Sequence, residues 1–263
     1  MKLLPLLFAT IALAYQVEIH PEYQQGLVIN DVPAERRLHW MRVANEAVYA
    51  DGHPCPQAPF GTAIVNTTSD ELDLLGCADV KRYDVQQLII VFYFTDPAMH
   101  GEISAITHCT EVLTGQGWTP QEILAGWKDL SLYTNGEPCP MCASAIRWAG
   151  FKEVIYGTSI RTIAENGRNQ IYIPSSMVWE KSYSLGHATL MLGNVLTNET
   201  NVFFAHQFNE SAPCPTGCHR QAIPDKRVKV CSPVDNWELV VFKAGKGLAV
   251  KQSKVQEIRH DEL

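Results

Sequence analysis

Two short stretches of this chain combine residue types and spacings that can do chemistry. The first is His100-Gly101-Glu102, and the second is Pro138-Cys139-Pro140-Met141-Cys142. Two cysteines three positions apart on the first turn of a helix point to one side and can share a tetrahedral ion. The positive end of the helix dipole favours their thiolate form. His100, opening a second helical pattern, can supply a third ligand and leave the fourth position to water. Three protein ligands plus water is the catalytic arrangement of zinc, in which the metal brings the pKa of its water toward neutrality. Glu102 lies two residues past the histidine, close to such an ion without being needed to bind it. A carboxylate there can take a proton from the water and pass it on to a substrate. The expected set is therefore one zinc ion per chain held by His100, Cys139 and Cys142, with Glu102 as the catalytic proton carrier.

These residues must be positioned by regular elements, and the hydrophobic pattern predicts them. Pro33–Ala50 reads as an amphipathic helix with Leu38, Met41, Ala44 and Val48 on its apolar face, Arg36, Arg37 and Arg42 largely elsewhere, and Asp31 as its cap. Thr62–Val65 is a short buried strand, with Glu71–Leu75 as its hairpin partner. Gly101–Leu113 is a helix whose Ile103, Ile106, Val112 and Leu113 face inward. Leu130–Thr134 is a strand ending at Asn135-Gly136, and Cys139–Trp148 is the helix that Gly150 closes. Val154–Gly157, Ile171–Ile173 and Val202–Ala205 complete the expected strands. Alternating strands and helices imply an α/β layered domain. His53, His108, His187 and His219 read as surface or satisfied core histidines, and Trp148 and Trp179 as packing residues.

With 263 residues and 46% hydrophobic content, the chain can bury a sizeable core. Its net charge of −7 gives no general attraction to a polyanion, so a small substrate is expected rather than a long nucleic acid. Residues 1–14 have the charge-apolar-small order of a signal peptide, too short to span a membrane, and residues 260–263 spell the HDEL retrieval signal. Together they imply the endoplasmic reticulum lumen. Asn66, Asn198 and Asn209 each begin a glycosylation triplet, which has meaning only in that compartment. With two of the eight cysteines assigned to zinc, an even number remains; Cys214, Cys218 and Cys231 lie close together, and at least one bridge is expected among them.

The H-x-E…P-C-x-x-C pattern resembles the signature of zinc deaminases. The likeness extends over roughly residues 38–185, through Trp40-Met41-Arg42, Pro59-Phe60-Gly61-Thr62-Ala63-Ile64-Val65, Asp96-Pro97-Ala98-Met99-His100-Gly101-Glu102, Glu137-Pro138-Cys139-Pro140-Met141-Cys142, Ala145-Ile146 and Val154-Ile155-Tyr156-Gly157. The chain thereby resembles the cytidine and deoxycytidylate deaminase superfamily, in its guanine deaminase and tRNA adenosine deaminase branch. That resemblance implies a three-layer α/β/α sandwich around a mixed sheet of about five strands. It also implies hydrolytic removal of an amino group from a nucleobase or nucleoside, a purine base such as guanine by branch, and a homodimer. The deaminase domain would span residues 30–205, followed by a cysteine-containing extension over 206–259.

One departure is evident. The family's Gly-x-Asn before the histidine segment, whose Asn contacts the base or sugar, has no match here. The region reads Gly76-Cys77-Ala78-Asp79, and the apolar run within residues 80–94 lengthens the spacing to His100. Residues 80–94 read either as a genuine segment with a buried strand over Leu88–Phe94 or as an aberrant insertion that interrupts an otherwise intact motif, and the substrate contacts are left unassigned. Two other uses of the chemical residues stay open. One is a zinc-stabilised, inactive deaminase-like binding module, favoured if residues 80–94 disrupt the pocket, with its zinc purely structural if another Cys or His closes the site. The other is a Cys-x-x-Cys thiol-disulfide oxidoreductase, which would leave His100 and Glu102 without a task.

Overall fold

The computed structural model describes residues 26–49, 54–56, 58–66, 97–206, 209–222, 229–234, 237–244 and 247–254. At its centre is a sheet built on β4 (Ser131–Gly136), every residue of which is buried. β3 (Thr62–Val65) runs antiparallel to it, pairing Thr62 with Thr134 and Val65 with Ser131. On the other side β5 (Glu153–Thr158) and then β6 (Leu190–Leu192) run parallel, giving the order β3-β4-β5-β6. The sheet is mixed, as expected, with four strands among the described residues rather than five. The hairpin partner expected at 71–75 and the segment 80–94 lie outside the described residues.

Alternation along these strands sends side chains to two faces, and each face has its own core. On one face Ala63, Val65, Tyr133 and Ile155 pack with Trp40, Met41 and Ala44 of α1 (Ala34–Ala47). On the other, Ile64, Leu132 and Val154 meet Ala105, Cys109 and Leu113 of α2 (Gly101–Gly115) and Ile146 of α4 (Pro140–Ala149). Helices on both faces of a sheet make the three-layer α/β/α architecture. Between α2 and β4 lies α3 (Pro120–Gly126), opened by a reciprocal capping box of Thr119 and Glu122. After β5 come α5 (Ile160–Glu165), α6 (Ser175–Lys181) and α7 (Thr197–Ala205).

Several sequence expectations are corrected. Asp31 does not cap α1: Asn30 and Asp31 both have positive φ (52° and 62°) and form the turn between β1 (Val28–Ile29) and β2 (Val32–Pro33). Pro33 is the cap residue instead. Arg37 lies on the buried face of α1, because its guanidinium meets the Glu153 carboxylate at 2.8 Å with both side chains almost wholly buried. The fully buried face of α2 is Glu102, Ala105, Cys109 and Leu113: Leu113 faces inward as expected and Ile106 packs at the edge of the core, whereas Ile103 and Val112 are only half-buried and Glu102 is turned into the interior. Ile171–Ile173 is an exposed segment without strand pairing, and Val202–Ala205 belongs to α7, where Thr200 and Phe204, four apart, are the buried pair. Short apolar runs do not carry enough period to separate these outcomes.

The C-terminal part forms two antiparallel hairpins, β7 (Cys218–Ala222) with β8 (Lys229–Pro233) and β9 (Trp237–Ala244) with β10 (Gly247–Lys254). Cys214 bonds to Cys231, while Cys218 bonds to Cys55 across 163 positions and staples the first hairpin to the start of the domain. Cys109 is disulfide-bonded as well, and Cys139 and Cys142 are free thiols. Asn198 and Asn209 are exposed, and Asn66 is buried at the end of β3. Among the described residues no helix is long and apolar enough to cross a membrane.

Candidate metal centre and active-site cavity

Two helix starts converge to form the site. His100 is the N-cap residue of α2 and Cys139 that of α4, where Pro140 occupies the first turn at no cost because its missing N–H has no intrahelical partner there. Cys142 follows one turn later. The Cys139 sulfur lies 3.4 Å from His100 Nδ1 and 3.6 Å from the Cys142 sulfur. Two sulfurs bound to one tetrahedral zinc are separated by about 3.8 Å, and a sulfur and an imidazole nitrogen by about 3.5 Å. The two edges that meet at Cys139 are thus close to those of a zinc tetrahedron, all three donors lie within 4.8 Å of one another, and their types are those zinc prefers. They are the one cluster of His, Cys, Asp or Glu among the described residues with metal-ligand geometry, and no fourth such residue joins them. His100, Cys139 and Cys142 therefore fit a zinc ion with one position left for a non-protein ligand.

A hydrogen bond from the Cys142 thiol, reinforced by His100, brings the Cys139 thiol down to about 4. Cys142 is pushed up, first by that same hydrogen bond and then by burial. His100 is raised, chiefly through its contact with Cys139. Glu102 is almost wholly buried, and burial, followed by the negative Cys139, pushes its carboxyl up to about 7.

Beside these groups opens a cavity of about 430 Å³, lined by Phe60, His100, Glu102, Glu137, Cys139 and Arg168 among others. Asn135, at the end of β4, fixes one wall: its side chain accepts from Gly61 N (3.0 Å) and donates to Pro59 O (2.9 Å), holding Phe60 between them. Glu137 fixes the other. It accepts from Ile160 N with one oxygen and from Ser175 N and Oγ with the other, all at 2.8 Å. One carboxylate therefore ties both ends of the segment 160–175 to the strand end that carries Cys139. Within that segment Arg168, almost wholly buried, lies with its guanidinium carbon 4.8 Å from the centre of the Phe60 ring.

The structure brings His100, Glu102, Cys139 and Cys142 into one site. It leaves the other singled-out histidines elsewhere. His108 neighbours Glu111, His187 bonds the Arg147 carbonyl and His219 is exposed on β7, while His53 lies outside the described residues. Trp179 packs and donates to Thr189 O, but Trp148 is 73% exposed and packs little, contrary to expectation. Arg168, Asn169 and Gln170 were not singled out from the sequence. No motif or period marks them, and only the loop's path brings them to the cavity.

A mixed four-stranded sheet flanked by helices thus places a His/Cys/Cys donor set that fits zinc beside a buried carboxylate. Residues 34–158 match the cytidine and deoxycytidylate deaminase zinc-binding region. The chain is 37% identical over 78 residues to a guanine deaminase of Bacillus subtilis (strain 168), covering 30% of this chain and 44% of the relative. It is 30% identical over 115 residues to a cytosine deaminase of Candida albicans (strain SC5314 / ATCC MYA-2876), covering 41% and 62%. The chain thus spans less than two thirds of either relative. Among solved structures, a guanine deaminase from Nitrosomonas europaea aligns with a TM-score of 0.42 and 14% identity over 68% of this chain and 85% of that one. A structure from a study of tRNA:A34 deaminases aligns at 0.41 and 21% over 63% and 98%.

Proposed function

We propose that the protein hydrolytically deaminates a nucleobase or nucleoside, a purine base such as guanine in particular, with one zinc ion per chain. The carrying observation is the juxtaposition of a zinc-fitting donor set with a buried carboxylate on the wall of a cavity of small-molecule size. When bound, zinc supplies a water acidified enough to act as hydroxide at neutral pH. Glu102 would be the proton carrier: it would pass one proton of the attacking water to a ring nitrogen, then take the proton of the hydroxyl so added and pass it to the departing amine. Water replaces the exocyclic amino group as a carbonyl, and ammonia leaves. A carboxyl held near neutrality can do both halves of that task. The guanine deaminase relative supports the purine assignment.

The secretory location proposed for the chain is supported by its disulfides, Cys55–Cys218, Cys214–Cys231 and the bonded Cys109, since such bonds persist in oxidising compartments. Ammonia release by the purified protein against a panel of bases and nucleosides, with zinc measured on the same sample, tests the activity. Glu102→Gln is expected to keep the zinc and lose about 10²- to 10⁴-fold in turnover. Full zinc with no turnover of any compound by the native protein would reject the reading.

A further inference from the structure

The chain from Cys55 to Phe60 forms one wall of the cavity, to which Ala58 and Phe60 contribute. Pro54, Pro56 and Pro59 bring no N–H to this stretch, so a strand ladder cannot hold it. Its far end is held by Asn135, through the side-chain bonds to Pro59 and Gly61 and a third bond from Asn135 N to Gly61 O at 3.1 Å. Its near end is held covalently. Cys55 is wholly buried and bonded to Cys218 on β7, which lies beyond the residues 34–158 that match the deaminase region. A tether fixes a position only when its other end is fixed as well. Here β7 is paired with β8 from Cys218–Pro233 to Ala222–Lys229, and the second bridge, Cys214–Cys231, joins β8 to the loop before β7.

The hairpin is also joined to the helix behind Phe60. Arg220 of β7 donates to the carbonyl of His206, the residue that ends α7, at 2.7 Å, and to those of Ala212 and Asn209 at 2.7 and 3.2 Å. Phe204, on the last turn of α7, is buried with its ring centre 5.1 Å from that of Phe60. Gly136 lies against both rings, since a carbon added there would meet them at 3.0–3.1 Å. A closed circuit results. It runs from β7 to Cys55 by the disulfide, along the chain to Phe60, by ring contact to Phe204, and from α7 back to β7 by Arg220. Resting on the deaminase reading above, we infer that Cys55 and Cys218 are positioning residues: their bond braces the Phe60 wall, and the C-terminal hairpin is thereby part of the working site. His100, Cys139 and Cys142 stand on α2 and α4 and are placed without the brace.

The full chain carrying Cys55→Ser and Cys218→Ser together, compared with the native protein, tests this. KM for the deaminated compound is expected to rise by about 3- to 30-fold, with kcat and zinc content within about 3-fold, because binding needs the wall and the chemical step does not. Amide exchange read by mass spectrometry is expected to quicken by about 10-fold or more over residues 58–62 and to stay within about 3-fold over β4 and α4. A disulfide that only stabilised the fold would quicken exchange throughout and leave KM alone. An unchanged KM, exchange that rises equally in all three segments, or loss of zinc from the variant each overturns the inference. If neither protein turns over any base or nucleoside, the deaminase reading falls and exchange alone decides the brace. Should the variant not fold, graded reduction of the native protein with dithiothreitol makes the same comparison, with alkylation showing when Cys55 and Cys218 have opened and Cys214 and Cys231 have not.

Discussion

Replacing Glu137 with alanine tests whether one carboxylate joins the cavity wall to the metal ligands. Alanine would leave two buried backbone donors, Ile160 N and Ser175 N, without their acceptor; the Ser175 hydroxyl retains Met191 sulfur at 3.3 Å. A buried donor left unsatisfied costs about 1–3 kcal/mol, and the desolvation cost of the carboxylate disappears with it. The net loss expected is about 3–5 kcal/mol, the two unsatisfied donors taken together less the recovered desolvation. At about 2–4 °C per kcal/mol for a domain of this size, the melting temperature falls by roughly 6–20 °C. Glu137→Gln keeps one acceptor and turns an amide N–H₂ toward the other donor, so its cost is about 1–3 kcal/mol. Scanning calorimetry of the zinc-loaded, disulfide-intact protein measures both. Because the segment holding Arg168 loses its tether, KM is expected to rise more than kcat falls. A melting temperature within about 2 °C of the native protein, with KM unchanged, would refute the tether.

Other consequences are equally direct. Arg37→Met leaves the Glu153 carboxylate buried without its cation and is expected to cost about 3–5 kcal/mol; adding Glu153→Gln should restore most of it, and a denaturation double-mutant cycle reads the coupling. Removing the metal with a chelator and then adding oxidised glutathione is expected to join Cys139 and Cys142, whose sulfurs are 3.6 Å apart, so that titratable thiol disappears; zinc-loaded protein should keep both thiols. Burial lowers the pKa of His206, so the unfolded chain takes up its proton first as pH falls. That stability is complete above the unfolded value near 6.5 and is lost as pH drops below it. Urea midpoints for the native protein should fall between pH 7.5 and 5.5 by more than those of His206→Gln.

What could be read without coordinates was whatever depends on local spacing. His100, Glu102, Cys139 and Cys142 form a chemical set because a three-residue offset on a helix and a two-residue offset at a helix start fix relative directions within each stretch. Period-two and period-3.6 patterns located β3, β4, β5 and the cores of α1, α2 and α4 to within a residue or two. The expectations that failed concern residues whose environment is supplied from far along the chain. Arg37 is buried because Glu153, 116 positions away, neutralises it, and Ile171–Ile173 has no strand partner among the described residues. Val202–Ala205 becomes helical because Thr200 and Phe204 find a core. The cavity belongs wholly to this second kind. Phe60, Glu137 and Arg168 approach from three separate segments, and their meeting is set by strand order and two side-chain clamps. Local sequence thus determined which atoms could hold a metal and move a proton. Only the tertiary structure decided which side chains surround them, because contacts at long separation leave no period in the chain.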